Sequence, residues 1–182
     1  METSRLMSYR GWTRATALRA GGVIALVALA GSGALAQTVK SIGTFSSWTA
    51  FTHGEGGSLL CFATAQPTKQ EPTGAKRSPA FVYVSSWPKD GVKAEVSVRV
   101  GYPLKGGSDV TMSVGNAEFK LFAHGDRAYI ADAGEELKLI EAMRRGSTMT
   151  IVGTSERGTT TTDTYSLAGI TQALQAVTTG CK

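Results

Sequence analysis

The sequence predicts a mostly β protein: an antiparallel β-sandwich or curled sheet with two short helices towards its C-terminal end. Three observations carry that expectation. Short segments rich in β-branched and aromatic residues recur along the chain, bounded by Gly, Pro, Asn and Asp. One of them, residues 93–100, alternates strictly, with Ala94, Val96, Val98 and Val100 facing one way and Lys93, Glu95, Ser97 and Arg99 the other. That is the pattern of an antiparallel strand with one face in solvent. Helical spacing is confined to two late stretches, near 132–146 and 166–177.

The first 36 residues stand apart from this pattern. Arg5, Arg10, Arg14 and Arg19 precede an apolar run at 21–30, which is too short to span a bilayer. Ala34, Leu35 and Ala36 then form a small-x-small cleavage site. Together these read as a secretory signal peptide over residues 1–36, leaving one β-rich domain over 37–182. Cleavage would remove four of the 19 basic and one of the 14 acidic residues, so the remaining chain carries a net charge of only +2. Its charges alternate in sign rather than gathering in a basic stripe, which argues against nucleic acid as a partner. No later apolar run reaches transmembrane length.

From residue 45 onward the elements follow in order. Residues 45–51 are a strand holding Phe45, Trp48 and Phe51; glycines 54, 56 and 57 mark a turn; residues 58–64 return as an apolar strand. The segment 66–79 has three prolines, three basic residues and no large apolar side chain, and reads as an exposed loop. Residues 80–87 form a β-branched and aromatic strand, followed by a turn at 88–91 with Pro88 and Gly91 suitably placed. Strands at 109–114 and 117–122 flank the two-residue turn Gly115–Asn116, and a short strand follows at 128–130. Asp132 then suits a helix N-cap with Glu135 three residues on, and Gly146 suits a left-handed C-terminal stop. The apolar stripe is Leu137, Ile140 and Met143, widened by Leu139. Strands at 147–153 and 159–167 enclose a turn at 155–158, and Ser166 is placed to cap a last helix bearing Leu167, Ile170, Leu174 and Val177.

Few residues invite a functional reading. Cys61 and Cys181 are an even pair in an exported chain, which favours a disulfide closing a loop of over a hundred residues; two free thiols are the alternative. A metal site is disfavoured, because His53 and His124 share no ligand spacing with each other or with the cysteines. No serine lies in a Gly-x-Ser-x-Gly elbow, and Gly106–Gly107 lacks the lysine of a phosphate loop, so no catalytic residue and no cofactor is assigned. Arg144, Arg145 and Arg157 could form an anion patch, although the first two also complement a helix dipole. Trp48 and Trp87 could contact a ligand or partner, or simply pack.

The order Trp48, Cys61, the strand Phe81 to Val84, then Gly101-Tyr102-Pro103 is similar to the invasion-associated locus B family of bacterial exported proteins. So are the block from Ala142 through Arg144, Arg145 and Gly146 to Gly153, and the stretch Tyr165 to Leu174. The resemblance covers roughly residues 45–177. It implies an α-proteobacterial periplasmic or envelope protein, with a founding member linked to host-cell invasion and no enzymatic activity. Better-known members carry extra mid-domain cysteines; residues 119–122 and 127–130 here have none, so the chain resembles a divergent branch. The expectation is an exported, non-enzymatic protein of the periplasm, outer envelope or secreted fraction. It would act through an unknown protein partner on the envelope or on a host surface. The alternative is a sandwich that binds a carbohydrate or small ligand.

Overall fold

Eleven strands and two helices make up residues 39–182, the part of the chain that the computed structural model describes; the expected signal peptide lies outside the described residues. In chain order they are β1 (Val39–Phe45), β2 (Trp48–His53), β3 (Leu60–Ala65), β4 (Lys69–Glu71), β5 (Phe81–Trp87), β6 (Val92–Arg99), β7 (Asp109–Val114), β8 (Ala117–His124), β9 (Arg127–Tyr129), α1 (Ala133–Arg145), β10 (Thr148–Thr154), β11 (Thr160–Ser166) and α2 (Ile170–Gly180). Both expected helices form, but only α2 is C-terminal, since the β10–β11 hairpin follows α1.

All strands join one open antiparallel sheet in the order β1-β2-β3-β5-β6-β9-β8-β7-β10-β11-β4. The chain makes this sheet curl. β3 is third from one edge and β4 is the opposite edge, yet only residues 66–68 connect them. Such a connector reaches roughly 14 Å at full extension, so the two ends of an eleven-stranded sheet must approach each other. Trp48 fixes the approach. Its ring is fully buried, and its Nε1 donates to the Ser166 carbonyl of β11 at 3.0 Å, while Ser47 N donates to Ala168 O at 3.2 Å. Between the two approaching halves lies one apolar core: Val82, Val84, Val96 and Val98 from one side, Met112, Leu121, Met149 and Ile151 from the other. Sandwich and curled sheet are thus two descriptions of one continuous ladder.

The helices cover open parts of this arrangement. α2 packs across β1, β2 and β3 through Ile170, Ala173, Leu174 and Val177. α1 buries Leu139, Ile140 and Met143; Leu137, expected in that stripe, is 65% exposed instead. Asp132 caps α1 by accepting from Glu135 N at 2.9 Å, as its position in the sequence suggests. The Glu136 carboxylate accepts from Val96 N at 2.6 Å, pairing a β6 donor beyond the register of the short strand β9, and burial pushes that carboxyl upward.

Two helix ends differ from expectation. Gly146 is extended (φ −82) rather than left-handed, and its lack of a side chain is needed for space: a Cβ there would lie 2.5 Å from Val114 and 3.0 Å from Leu167. Gly169, not Ser166, is the residue that precedes α2; Ser166 Oγ instead accepts from Ala168 N at 3.2 Å. Gly169 adopts φ 92, with the Phe45 carbonyl where a Cβ would sit. Only glycine allows the β1–β2 turn to meet the β11–α2 junction this closely.

Cys61 and Cys181 form a disulfide, with Cα atoms 5.8 Å apart and a separation of 120 positions in sequence. It ties the end of α2 to the buried face of β3. On the chain-entropy account a loop of this size removes about 4–5 kcal/mol of denatured-state freedom. The Cys61→Ala/Cys181→Ala variant should therefore lose about 4 kcal/mol in urea unfolding. A loss below about 1 kcal/mol would show that α2 needs no covalent anchor.

Candidate functional site

The sequence marks residues 66–79 as an exposed loop, and the structure corrects this in two ways. Lys69–Glu71 pairs with Thr162–Thr164 as edge strand β4. Further on, Arg77 turns inward and delivers its guanidinium to Asp163. Asp163 is there because β11 alternates: Thr161, Asp163 and Tyr165 face the core, while the threonines between them face outward. An acid at the middle of an inward strand face demands a cation. Arg77 supplies it bidentately, one NH1 contact to Asp163 Oδ2 measuring 2.8 Å and NH2 meeting Oδ1. Arg77 NH1 also donates to Val100 O at 3.2 Å, and the guanidinium lies 5.9 Å from the Tyr102 ring centroid. The two side chains are 6% and 2% exposed.

Arg77, held from behind by Asp163, lines a groove of about 720 Å³. Residues 72–78 make one wall and residues 155–159 the other; Gly101, Tyr102 and Pro103 run between them. Hydrogen bonds clamp that central strap on both sides: Ser78 N to Gly101 O at 3.0 Å, and Glu156 N to Pro103 O at 3.0 Å. Tyr102 and Thr161 share a hydroxyl–hydroxyl bond of 2.6 Å, and burial pushes the Tyr102 phenol upward, so it stays protonated. The Tyr165 hydroxyl, in the neighbouring core, is buried and has no hydrogen-bond partner among the described residues. At the groove mouth the exposed side chains Lys76, Arg157 and Glu156 have no ion-pair partner among the described residues.

A second surface lies on the outer face of the sheet. Phe51 stacks on Phe62 (centroids 5.2 Å), Phe62 meets Tyr83 (6.1 Å), and Tyr83 meets Phe81 (5.8 Å). Arg127 lies 5.6 Å over the Tyr83 ring, and Tyr129 stacks on Phe122 at 5.6 Å. These residues sit on β2, β3, β5, β9 and β8, alternating with the buried Ala50, Cys61, Ala63, Val82 and Val84, so the belt crosses most of one half of the sheet on the face away from the core. It changes the reading of β6. Ser97, expected in solvent, is buried because its register partners are Tyr83 and Tyr129. Nearby Glu95 is half-buried, its carboxyl pushed up by burial and pulled back by Arg127.

The residues singled out from the sequence fall in different places. Trp48 belongs to the core, and Trp87 ends β5, six residues beyond Phe81 and so roughly 20 Å along the strand from the groove end. Arg144 and Arg145 form ion pairs with Glu141 on α1, at 4.0 and 3.2 Å. Arg157 lies past the far end of β10 from them, so these three arginines do not share a patch. Only Arg157 lines the groove. Sequence reasoning missed Arg77, Asp163 and Tyr102. The available signal was the one acid on the inward register of a threonine-rich strand.

Gly101 has φ 83, and a Cβ on it would stand 2.0 Å from the Ser78 carbonyl. Gly101→Ala should cost at least about 2 kcal/mol in urea unfolding, combining left-handed strain with a backbone collision. Gly107 has φ 71 but open space around it, so Gly107→Ala should cost only about 1 kcal/mol. Equal losses would contradict the tight strap.

No curated protein matches this chain. Among solved structures it is similar to the crystal structure of invasion associated protein b from Bartonella henselae, at 18% identity and a TM-score of 0.53, covering 74% of this chain and 94% of that one. At that identity the likeness shows the fold. The profile of the invasion associated locus B (IalB) protein family matches residues 48–178, from the buried Trp48 through the last turns of α2. By that match, and with the disulfide fitting an extracytoplasmic location, the chain belongs to the IalB family.

Proposed function

We propose that this protein is exported to the periplasm, the outer envelope or the medium, and acts there without catalysis by contacting another protein. The observation that carries this reading is the outer aromatic belt. Aromatic residues and arginines are enriched in protein interfaces and dominate their binding energy. Here Phe51, Phe62, Tyr83 and Phe81 form a continuous row, with Arg127 laid on it and Phe122 49% exposed beside Tyr129. A sheet face of this kind suits a partner surface offering apolar side chains, with acidic groups to meet Arg127 and Arg99. Arg99 is held by Asp126 at 2.8 Å in a half-exposed pair that contributes little to stability and can re-pair.

His53 closes β2, with its Nδ1 buried and without a hydrogen-bond partner among the described residues, and His124 closes β8; the reading gives neither a catalytic role. Export is supported by the disulfide and by membership of the invasion associated locus B family. Among the described residues no helix is long and apolar enough to cross a membrane.

Cross-linking capture from native envelopes tests the reading when run on three forms of the protein. Wild type and Arg144→Ala/Arg145→Ala should return the same partner. Phe62→Ser/Arg127→Glu should weaken that capture by about 2 kcal/mol or more, the scale of interface hot spots. Capture unchanged by the belt substitutions, in protein that still unfolds cooperatively, would refute the belt as the contact surface.

A further inference from the structure

We propose that the groove between residues 72–78 and 155–159 binds a small acidic sugar, meaning a polyhydroxylated ligand bearing one carboxylate or phosphate. This does not rest on the outer-face reading, because the two surfaces share no residue. Four features lead to it. The volume, about 720 Å³, lies within the range of small-ligand sites, roughly 300–1,000 Å³. Its two walls each present an unpaired cation, Lys76 on one and Arg157 on the other. A single anionic group between them would be met from both sides, and the guanidinium offers the planar fork that suits carboxylate and phosphate.

The third feature is the lining between those charges. Thr73, Ser78 and Thr159 offer hydroxyls, while Glu156 is an unpaired acceptor for sugar hydroxyl groups. The Tyr102 ring supplies an apolar plane of the kind sugars stack on. The fourth is preorganisation. Arg77 is neutralised and held by Asp163, Tyr102 is held by Thr161, and the strap at 101–103 is hydrogen-bonded to both walls. A ligand would therefore meet a fixed floor, and the ordering cost on binding falls on the exposed ends of Lys76 and Arg157. Arg77 is spent on Asp163, so the ligand's charge is read by the two mouth cations rather than by the buried one.

Amide chemical-shift titration of the isotope-labelled protein with D-glucuronate, glucose 6-phosphate, glucose and inorganic phosphate tests this directly. The expected result is saturable shifts from at least one of the two acidic sugars, confined to residues 73–78, 101–103 and 155–161. Glucose should bind about ten-fold or more weakly, the loss of one charge-assisted contact. Lys76→Ala/Arg157→Ala should weaken the acidic sugar by a similar factor while leaving the unfolding midpoint unchanged, since both side chains are exposed. No saturable shift from either acidic sugar overturns the proposal. Binding of glucose at equal strength removes the acidic requirement, and inorganic phosphate as strong as glucose 6-phosphate removes the sugar requirement; either also overturns it.

Discussion

A carboxylate enclosed between two halves of a curled sheet is the constraint on which much of this protein depends. A carboxylate as buried as that of Asp163 needs a cation beside it, and residues 72–80, threaded back over the sheet, bring one. Arg77 arrives on that segment, crosses Tyr102, and bonds both to Asp163 and to the end of the Val100 strand region. One bidentate contact thus fixes a long connection, the central strap and the floor of the groove. The pair sets which segments meet, while its net contribution to stability is small because a buried ion pair repays little more than its own desolvation.

The same economy governs the rest of the fold. A three-residue connector between β3 and β4 dictates the curl; Trp48 and Gly169 let the two edges meet; the disulfide anchors the helix that covers the opening. Each is a close approach between segments distant in sequence. On the outer face of the same sheet, aromatic residues from neighbouring strands lie against one another and cover the backbone. The groove and the belt are therefore products of one closure: the inside of the curl is sealed by a charge pair, and the outside of the sheet by aromatic rings.

Local physics made much of this legible from the sequence. Period-2 alternation placed β6, the Gly115–Asn116 turn placed the β7–β8 hairpin, and the Asp132 cap placed α1. Interactions set by non-local partners were not legible in the same way. Leu137 carries the right spacing for a buried stripe, but the sheet beneath α1 receives Leu139 instead. Gly146 looks like a left-handed stop, yet it is small because Val114 and Leu167 crowd it. Ser97 alternates like a solvent residue and is covered by rings from two other strands. The loop at 66–79 has the composition of solvent-exposed chain, and nothing local signals that Arg77 within it answers an acid 86 positions away. The aromatic belt was missed for the same reason, since its members are single residues on separate strands.

Function follows the same division between local and assembled features. Trp48 is explained by packing and the helix arginines by Glu141, whereas the two surfaces with unspent chemistry are assembled from distant segments. The groove depends on the charge pair that holds Arg77 in its lining. A double-mutant cycle in urea unfolding, with Arg77→Met, Asp163→Leu and the two combined, measures that dependence most directly. Each single change should cost roughly 3 kcal/mol by leaving a buried charge unpaired, and the double variant should recover at least about 2 kcal/mol of the summed loss. Strictly additive losses would mean the two charges do not support each other, and would contradict it.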